Sequence, residues 1–226
     1  MTEQNVRQEP KTAILRVRAV RNLDPSTYVL RFDRNGIPFR AGQHVLLGVK
    51  GDVQAREYSI YSGEKDDFFE VLIKEVTKGM VSRQLKRLKP GEALNFENPV
   101  GYFVIREEQL YTRKFLFVAS GTGIAPFHSF VKTYPGLDYL LLHGTRFAGE
   151  SYERADYSPA RMVRCISRDN LGDFQGRVTD YLRKHPVEDK TTLCYLCGNC
   201  EMIHEAYDIL LQQGIPSENL FAEVYF

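Results

Sequence analysis

Residues 115–127 read Phe115-Leu116-Phe117-Val118-Ala119-Ser120-Gly121-Thr122-Gly123-Ile124-Ala125-Pro126-Phe127. The first five form an unbroken apolar run, the pattern of a strand buried on both faces. Two glycines then let the backbone approach a phosphate or a flat ring, and Pro126 suits the first turn of a helix. A helix starting there offers free amide N–H groups and the positive end of its dipole to an anion. Strand, glycine turn and helix in this order predict one unit of an α/β sheet. The third glycine of Gly-x-Gly-x-x-Gly is missing and Pro126 is present, so the common dinucleotide fingerprint is not claimed.

Downstream the same rhythm repeats, with apolar segments at Tyr139 to His143, Met162 to Ser167, Thr191 to Cys197 and Leu220 to Phe226, separated by helical stretches. Strands alternating with helices imply βαβ units and a mostly parallel sheet. Upstream the pattern is different. Ala13 to Val20, Tyr28 to Phe32, His44 to Val49, Tyr58 to Tyr61, Phe69 to Val76 and Ala93 to Phe96 read as strands, broken by Asp24-Pro25, Asn35-Gly36, Lys50-Gly51-Asp52 and Lys89-Pro90-Gly91. Short strands with turn chemistry at close intervals predict a small antiparallel barrel, interrupted by one helix around Val81 to Leu88. The fold class expected is therefore two-domain: an antiparallel β-barrel at 11–108, followed by an α/β Rossmann-like parallel-sheet domain at 109–226, with 1–10 a loose tail.

The chain of 226 residues, 43% hydrophobic and 26% charged, is long enough to bury cores of this kind. A formal charge of +1 gives no global reason to expect nucleic acid. No run approaches the roughly 18 apolar residues of a membrane span, and MTEQNVRQEPK lacks the apolar core of a signal peptide, so a cytoplasmic location is expected.

Two segments of the barrel carry chemistry. Arg56-Glu57-Tyr58-Ser59 puts Arg56 and Tyr58 on one strand face, where a cation pairs a phosphate and an aromatic lies against a flat ring. Taken alone, an ordinary edge strand with a surface arginine reads equally well. Lys74 to Ser82, KEVTKGMVS, ends a strand, turns at Gly79 and places Ser82 in the first turn of a helix, where backbone amides suit a pyrophosphate. The order of the two segments, one strand apart, is what a dinucleotide flavin explains.

With the loop after residue 120, these segments resemble the ferredoxin-NADP(+) reductase family over nearly the whole chain. Arg56, Tyr58 and Ser59 match its arginine-x-tyrosine-serine flavin motif, Gly79 and Ser82 its glycine-x-x-serine phosphate motif, and Gly121 to Pro126 its nicotinamide-side loop. Cys197-Gly198 with Met202 resembles its cysteine-glycine-x-x-x-methionine segment, and Glu223-Val224-Tyr225 the ending of the plant-type members. The resemblance implies FAD and NADP(H) as cofactors. For FAD it implies Arg56 on the pyrophosphate, Tyr58 and either Tyr225 or Phe226 sandwiching the isoalloxazine, Ser59 near N5, and contacts from Ile73, Lys74, Gly79, Met80, Val81, Ser82 and Thr122. Tyr225 and Phe226 stay open as alternatives, since adjacent strand residues point to opposite faces.

For NADP(H) it implies Gly121, Thr122, Gly123, Ile124, Ala125, Pro126, Cys197, Gly198 and Met202, with Arg146, Ser167, Arg168 and Arg177 near the 2′-phosphate. A guanidinium fork donates two charge-assisted hydrogen bonds to such a phosphate. Asp169, beside Arg168, argues in the other direction, towards NAD. Ser59, Glu223 and Cys197 are the catalytic candidates, Glu223 as proton relay. The activity implied is electron transfer between NADP(H) and a ferredoxin or flavodoxin. The reductase component of an oxygenase, a free flavin or ferric reductase, and a flavin-binding regulatory subunit are the alternatives. Arg16, Arg18, Arg21, Arg31, Arg34 and Arg40 are expected to form a basic rim that steers an acidic carrier.

Cys194, Cys197 and Cys200 have the spacing of an iron-sulfur motif. An odd interval on one strand turns Cys194 and Cys197 to opposite faces, Cys200 opens the next helix, and Cys165 lies on another strand. No metal is expected. The histidines are scattered and read as structural.

Overall fold

The computed structural model describes residues 13–77 and 79–225. The tail at 1–10, Lys78 and Phe226, including the alternative of Phe226 over the flavin, lie outside the described residues.

Six strands form the first domain: β1 (Ala13–Asn22), β2 (Thr27–Asp33), β3 (His44–Val49), β4 (Ala55–Ser59), β5 (Phe68–Lys74) and β6 (Ala93–Val100). They pair antiparallel in the order β4-β3-β6-β1-β2-β5, and a bridge between Ile60 and Val71 joins the two ends into a barrel. Inward positions fill it with Tyr28, Leu30, Phe32, Val45, Leu47, Phe69, Val71 and Phe96, all fully buried. The short helix α1 (Met80–Lys86) caps it through Val81 and Leu85. The fourth strand begins earlier than the apolar count predicts, at Ala55, and Ile60 and Tyr61 leave it to close the barrel.

The second domain is a parallel sheet of β7 (Phe115–Ser120), β8 (Tyr139–Thr145), β9 (Met162–Ile166), β10 (Phe174–Gln175), β11 (Leu193–Asn199) and β12 (Leu220–Tyr225), in the order β10-β9-β8-β7-β11-β12. Helices α2 (Ala125–Thr133), α3 (Val178–Lys184) and α4 (Cys200–Gln212) cover it. As the unbroken apolar run requires, β7 feeds two cores. Phe115, Phe117 and Ala119 pack on the face turned to α2 and the barrel, and Leu116 and Val118 on the face turned to α3 and α4. Phe117 stacks on Phe127 of α2 at 4.8 Å between ring centroids, which adds about 0.5–1.5 kcal/mol beyond burial.

Polar contacts seal the joint between the domains. His128 of α2 stacks on Tyr61 at 3.7 Å, its Nδ1 lies 2.6 Å from the Tyr61 carbonyl, and its Nε2 lies 2.9 Å from Asp156 Oδ2. A carbonyl and a carboxylate both accept, so the two ring nitrogens of His128 each face an acceptor across the joint. Ser129 donates to the Ser62 carbonyl at 2.7 Å, and Thr27 and Tyr152 share a hydrogen bond of 3.0 Å. Arg21 of β1 reaches across to Glu153 at 2.6 Å.

These contacts correct the expected basic rim. Arg18 pairs with Asp33 and Asp67, Arg21 with Glu153, and Arg31 with Glu70. Arg16, Arg34 and Arg40 donate to the carbonyls of Gly91, Glu64 and Ile105. Acidic residues distant in sequence, Asp67, Glu70 and Glu153, neutralise three of the six cations that the local composition left exposed.

Candidate active site

The chain builds β8 and β9 to one side of β7 and then crosses to place β11 on the other. A ligand crevice is expected outside the carboxyl ends of strands at such a switch point. The loop after β7 starts at Gly121, whose φ of +54° suits glycine, and Gly198, the last residue but one of β11, has φ +132°. A side chain at Gly198 would collide with Ser120, whose Oγ accepts from the Asn199 N–H at 2.9 Å. His143 donates from Nε2 to the Gly121 carbonyl at 2.9 Å. Burial lowers its pKa to about 4, so the ring is neutral and serves to fix the loop.

A cleft of about 460 Å³ opens here, lined by Gly121 and Thr122, Thr145 and Arg146, Ser167, Arg177 to Thr179, Gly198, Asn199 and Met202, with Lys74 of the barrel and Tyr225 closing it. The guanidinium groups of Arg146, Arg168 and Arg177 form no ion pair among the described residues. Asp169 accepts from the Ala148 and Leu171 amides at 2.8 and 2.9 Å, so its carboxylate is occupied within its loop.

At the Tyr225 end, β4 meets β12. Ser59 is buried; its hydroxyl donates to Glu223 Oε1 at 2.6 Å and accepts from the Tyr225 hydroxyl at 2.7 Å. Burial pushes the Glu223 carboxyl up, against the Ser59 hydrogen bond and His44, which favour the charged form. Cys197 pairs in register with Glu223 across β11 and β12, and burial pushes its thiol well up.

The structure thus brings Ser59, Glu223, Tyr225 and Cys197 together, and Lys74, Gly121, Thr122, Arg146, Ser167, Arg177, Gly198 and Met202 around one cleft. Other expected residues lie outside the lining of this cleft or turn their side chains away from it. Cys197 is wholly buried and does not line the cleft, because its side chain turns into the core. Ile124, Ala125 and Pro126 are buried, and a side chain at Gly123 would collide with the Cys197 carbonyl, so that glycine serves the fit of the loop against β11. Arg168 is exposed outside the lining. In the barrel, Ile73 and Val81 bury their side chains in the core and Ser82 Oγ accepts from the Val76 amide at 3.1 Å. Gly79 has φ −81°, an ordinary value; its Cβ would come 2.9 Å from Val76 Cβ, so close packing, not the turn, requires glycine. Arg56 is exposed and donates to the Ala55 carbonyl at 2.7 Å, Tyr58 packs against the barrel core, and Met80 is half exposed at 53%.

Sequence reading missed Thr145, Glu150, Asn199 and Glu205, which also line the cleft. The signal available was position: each lies at or after the carboxyl end of a parallel strand. Glu150 faces Lys74 at 3.5 Å, and Asn199 caps α4 by accepting from the Glu201 and Met202 amides. His44 was also missed, a pairing partner of Ser59 across β3 and β4.

Residues 15–105 match the model of the oxidoreductase FAD-binding domain, and residues 117–208 that of the oxidoreductase NAD-binding domain. The electron transfer component of toluate 1,2-dioxygenase from Pseudomonas putida is 30% identical, over 91% of this chain and 65% of that protein. The flavodoxin/ferredoxin-NADP reductase of Escherichia coli is 25% identical, over 84% of this chain and 86% of its own. The chain therefore spans less than two thirds of the dioxygenase component and most of the stand-alone reductase. A ferredoxin NADP+ reductase from Neisseria gonorrhoeae, solved with bound FAD and NADP, superposes with a TM-score of 0.85 at 21% identity, over 96% of this chain and all of that one, which shows a shared fold. Among the described residues, no helix is long and apolar enough to cross a membrane. With a barrel that matches an FAD-binding domain and a parallel sheet that matches a nicotinamide-binding domain, the chain is an oxidoreductase and belongs to the ferredoxin-NADP(+) reductase family.

Proposed function

We propose that this chain is a FAD-dependent reductase that moves electrons between NADP(H) and a one-electron carrier protein such as ferredoxin or flavodoxin. The observation that carries the reading is the hydrogen-bonded set of Ser59, Glu223 and Tyr225, at the end of a cleft whose far wall holds Arg146, Ser167 and Arg177. The barrel surface fits the flavin dinucleotide. Arg56 has no acidic partner among the described residues, while Val53, Val76 and Met80 expose apolar side chains, as a part-anionic and part-apolar ligand would require. Arg56 would hold the pyrophosphate together with backbone groups of Gly79 to Ser82, and Tyr58 and Tyr225 would flank the ring.

Bound FAD supplies the conversion between a hydride and single electrons. The protein's part is position and protons. Tyr225 donates to Ser59, which directs the Ser59 proton towards Glu223, and the buried Glu223 carboxyl holds a proton at higher pH than an exposed one. Arg146 and Arg177 offer guanidinium forks to a 2′-phosphate that an unphosphorylated ribose lacks. Flavin reduction by NADPH and by NADH, followed as loss of absorbance, tests the reading: NADPH should be preferred, and equal rates would remove the 2′-phosphate assignment.

The likeness to the toluate dioxygenase component favours a second reading, the reductase of an oxygenase whose iron-sulfur centre lies on another chain. The two differ in the carrier. Carrier reduction that weakens as salt rises indicates a charged docking face, and salt independence removes the acidic carrier.

A further inference from the structure

A carboxylate stands in the wall of the cleft that holds Arg146 and Arg177. Glu150 ends the short 3-10 turn Ala148–Glu150 after β8 and lines the same volume as the two arginines. Beside a dinucleotide that carries several negative charges, a bare carboxylate in this place costs binding through like-charge repulsion. Glu150 is not bare. Its Oε2 accepts from the Arg146 amide at 2.9 Å and from the Phe147 amide at 3.3 Å, and its Oε1 faces Lys74 Nζ, at the end of β5, at 3.5 Å. The next amide, that of Ala148, donates to Asp169 Oδ2 at 2.8 Å. Three successive N–H groups after β8 therefore end on carboxylates of this chain. Such a run of amides is otherwise a place for an anion, so here the loop is filled from within and Arg146 is left to meet a ligand with its side chain. Of the two carboxylates, Glu150 lines the cleft and Asp169 does not.

We propose that Glu150 is a positioning residue that sets the preference for NADPH over NADH: it fixes the backbone from which Arg146 meets the 2′-phosphate, and it ties that backbone to the barrel through Lys74. The inference rests on the proposed reading that the cleft receives NADP(H). Both links act on geometry. An arginine side chain has many rotamers, and its guanidinium fork pairs a phosphate only when the backbone is held where the fork can reach. Without Glu150, the Arg146 and Phe147 amides lose their acceptor and Lys74 loses the carboxylate that joins the two domains at the mouth of the cleft. NADH differs from NADPH only in lacking the 2′-phosphate, so an error in the place of Arg146 falls on NADPH alone.

Two substitutions in the FAD-loaded protein separate reach from charge. Glu150→Gln keeps the length of the side chain and an oxygen that accepts from the amides, and removes the negative charge. Glu150→Asp keeps the charge and shortens the side chain by a methylene, which withdraws the oxygens from the Arg146 and Phe147 amides. The measured quantity is kcat/KM for NADPH divided by kcat/KM for NADH, with ferricyanide as electron acceptor. It should fall about tenfold in Glu150→Asp, less than the roughly 100-fold that a misplacement of ~1 Å can cost, and stay within about twofold of wild type in Glu150→Gln. Hydrogen exchange at the Arg146 and Phe147 amides, which needs no nucleotide, should quicken about tenfold in Glu150→Asp and little in Glu150→Gln. A ratio that falls in Glu150→Gln as far as in Glu150→Asp or further, or that falls in neither, overturns the positioning role. Equal use of NADPH and NADH by the wild type would instead remove the 2′-phosphate reading and the specificity role with it, and the exchange arm would still decide whether Glu150 holds the loop.

Discussion

The arginines of the barrel and those of the cleft are the same residue in opposite surroundings. Arg18, Arg21 and Arg31 each meet a carboxylate within 3 Å. Arg146 and Arg177 stand at the wall of a cleft and meet none among the described residues. The joint between the domains repeats the contrast. At the His128 end its polar groups satisfy one another, and at the Tyr225 end a serine, a glutamate and a tyrosine converge beside an open volume. Uncompensated charge next to a cavity points to a ligand, and compensated charge points to architecture.

Mutations at the two ends should separate accordingly. The largest effect is expected for Ser59→Ala, which should slow flavin reduction by NADPH about 100-fold in stopped flow while FAD affinity changes little. The double variant Arg146→Ala/Arg177→Ala should narrow the NADPH-to-NADH preference by about 10- to 100-fold, if the two arginines together contribute roughly 1.4–2.8 kcal/mol to binding the phosphate. The arginine pair should leave the urea midpoint nearly unchanged, whereas Ser59→Ala, which leaves Glu223 and Tyr225 without their shared hydrogen-bond partner, should lower it.

At the sealed end the pattern should invert. His128→Ala leaves the Tyr61 carbonyl and Asp156 without their donor and should lower unfolding free energy by about 2–3 kcal/mol in urea titration, with the cofactor ratio unchanged. The pH dependence has opposite signs at the two ends. The hydrogen bond from His128 holds the Asp156 carboxyl below its ordinary value, so its contribution is present above that value and lost as pH falls through the folded pKa. Burial raises Glu223, so its contribution is complete below the ordinary carboxylate range and lost as pH rises through the folded pKa. Glu223→Gln should flatten that second loss in denaturation series across pH. The smallest effect belongs to Arg18→Ala, where exposed pairs with Asp33 and Asp67 should contribute under about 1 kcal/mol.

Most of the architecture was legible because period carries it. An unbroken run such as Phe115 to Ala119, followed by a glycine turn, fits a strand covered on both faces, and turn residues at short intervals upstream fit a small barrel. Of the proposed site, the structure brings together Ser59 and Glu223, which the sequence reading had paired and which meet across 164 positions. Reading failed where a residue's direction is set by partners far away in sequence. Cys197 and Ile124 carry the right neighbours but turn into the core, and the barrel arginines were assigned to solvent because Asp67, Glu70 and Glu153 lie on other strands and loops. At Gly79 the sequence reading invoked backbone freedom, whereas contact with Val76 is what excludes a side chain there.

The central claim is that the cleft walled by Arg146 and Arg177 receives NADPH beside a flavin. The most direct measurement is the visible spectrum of the purified protein during parallel anaerobic titrations with NADPH and NADH. A yellow protein bleached by NADPH at lower concentration and higher rate than by NADH is the predicted result. A colourless protein that does not take up FAD, or a flavin that both nucleotides reduce equally, would contradict it.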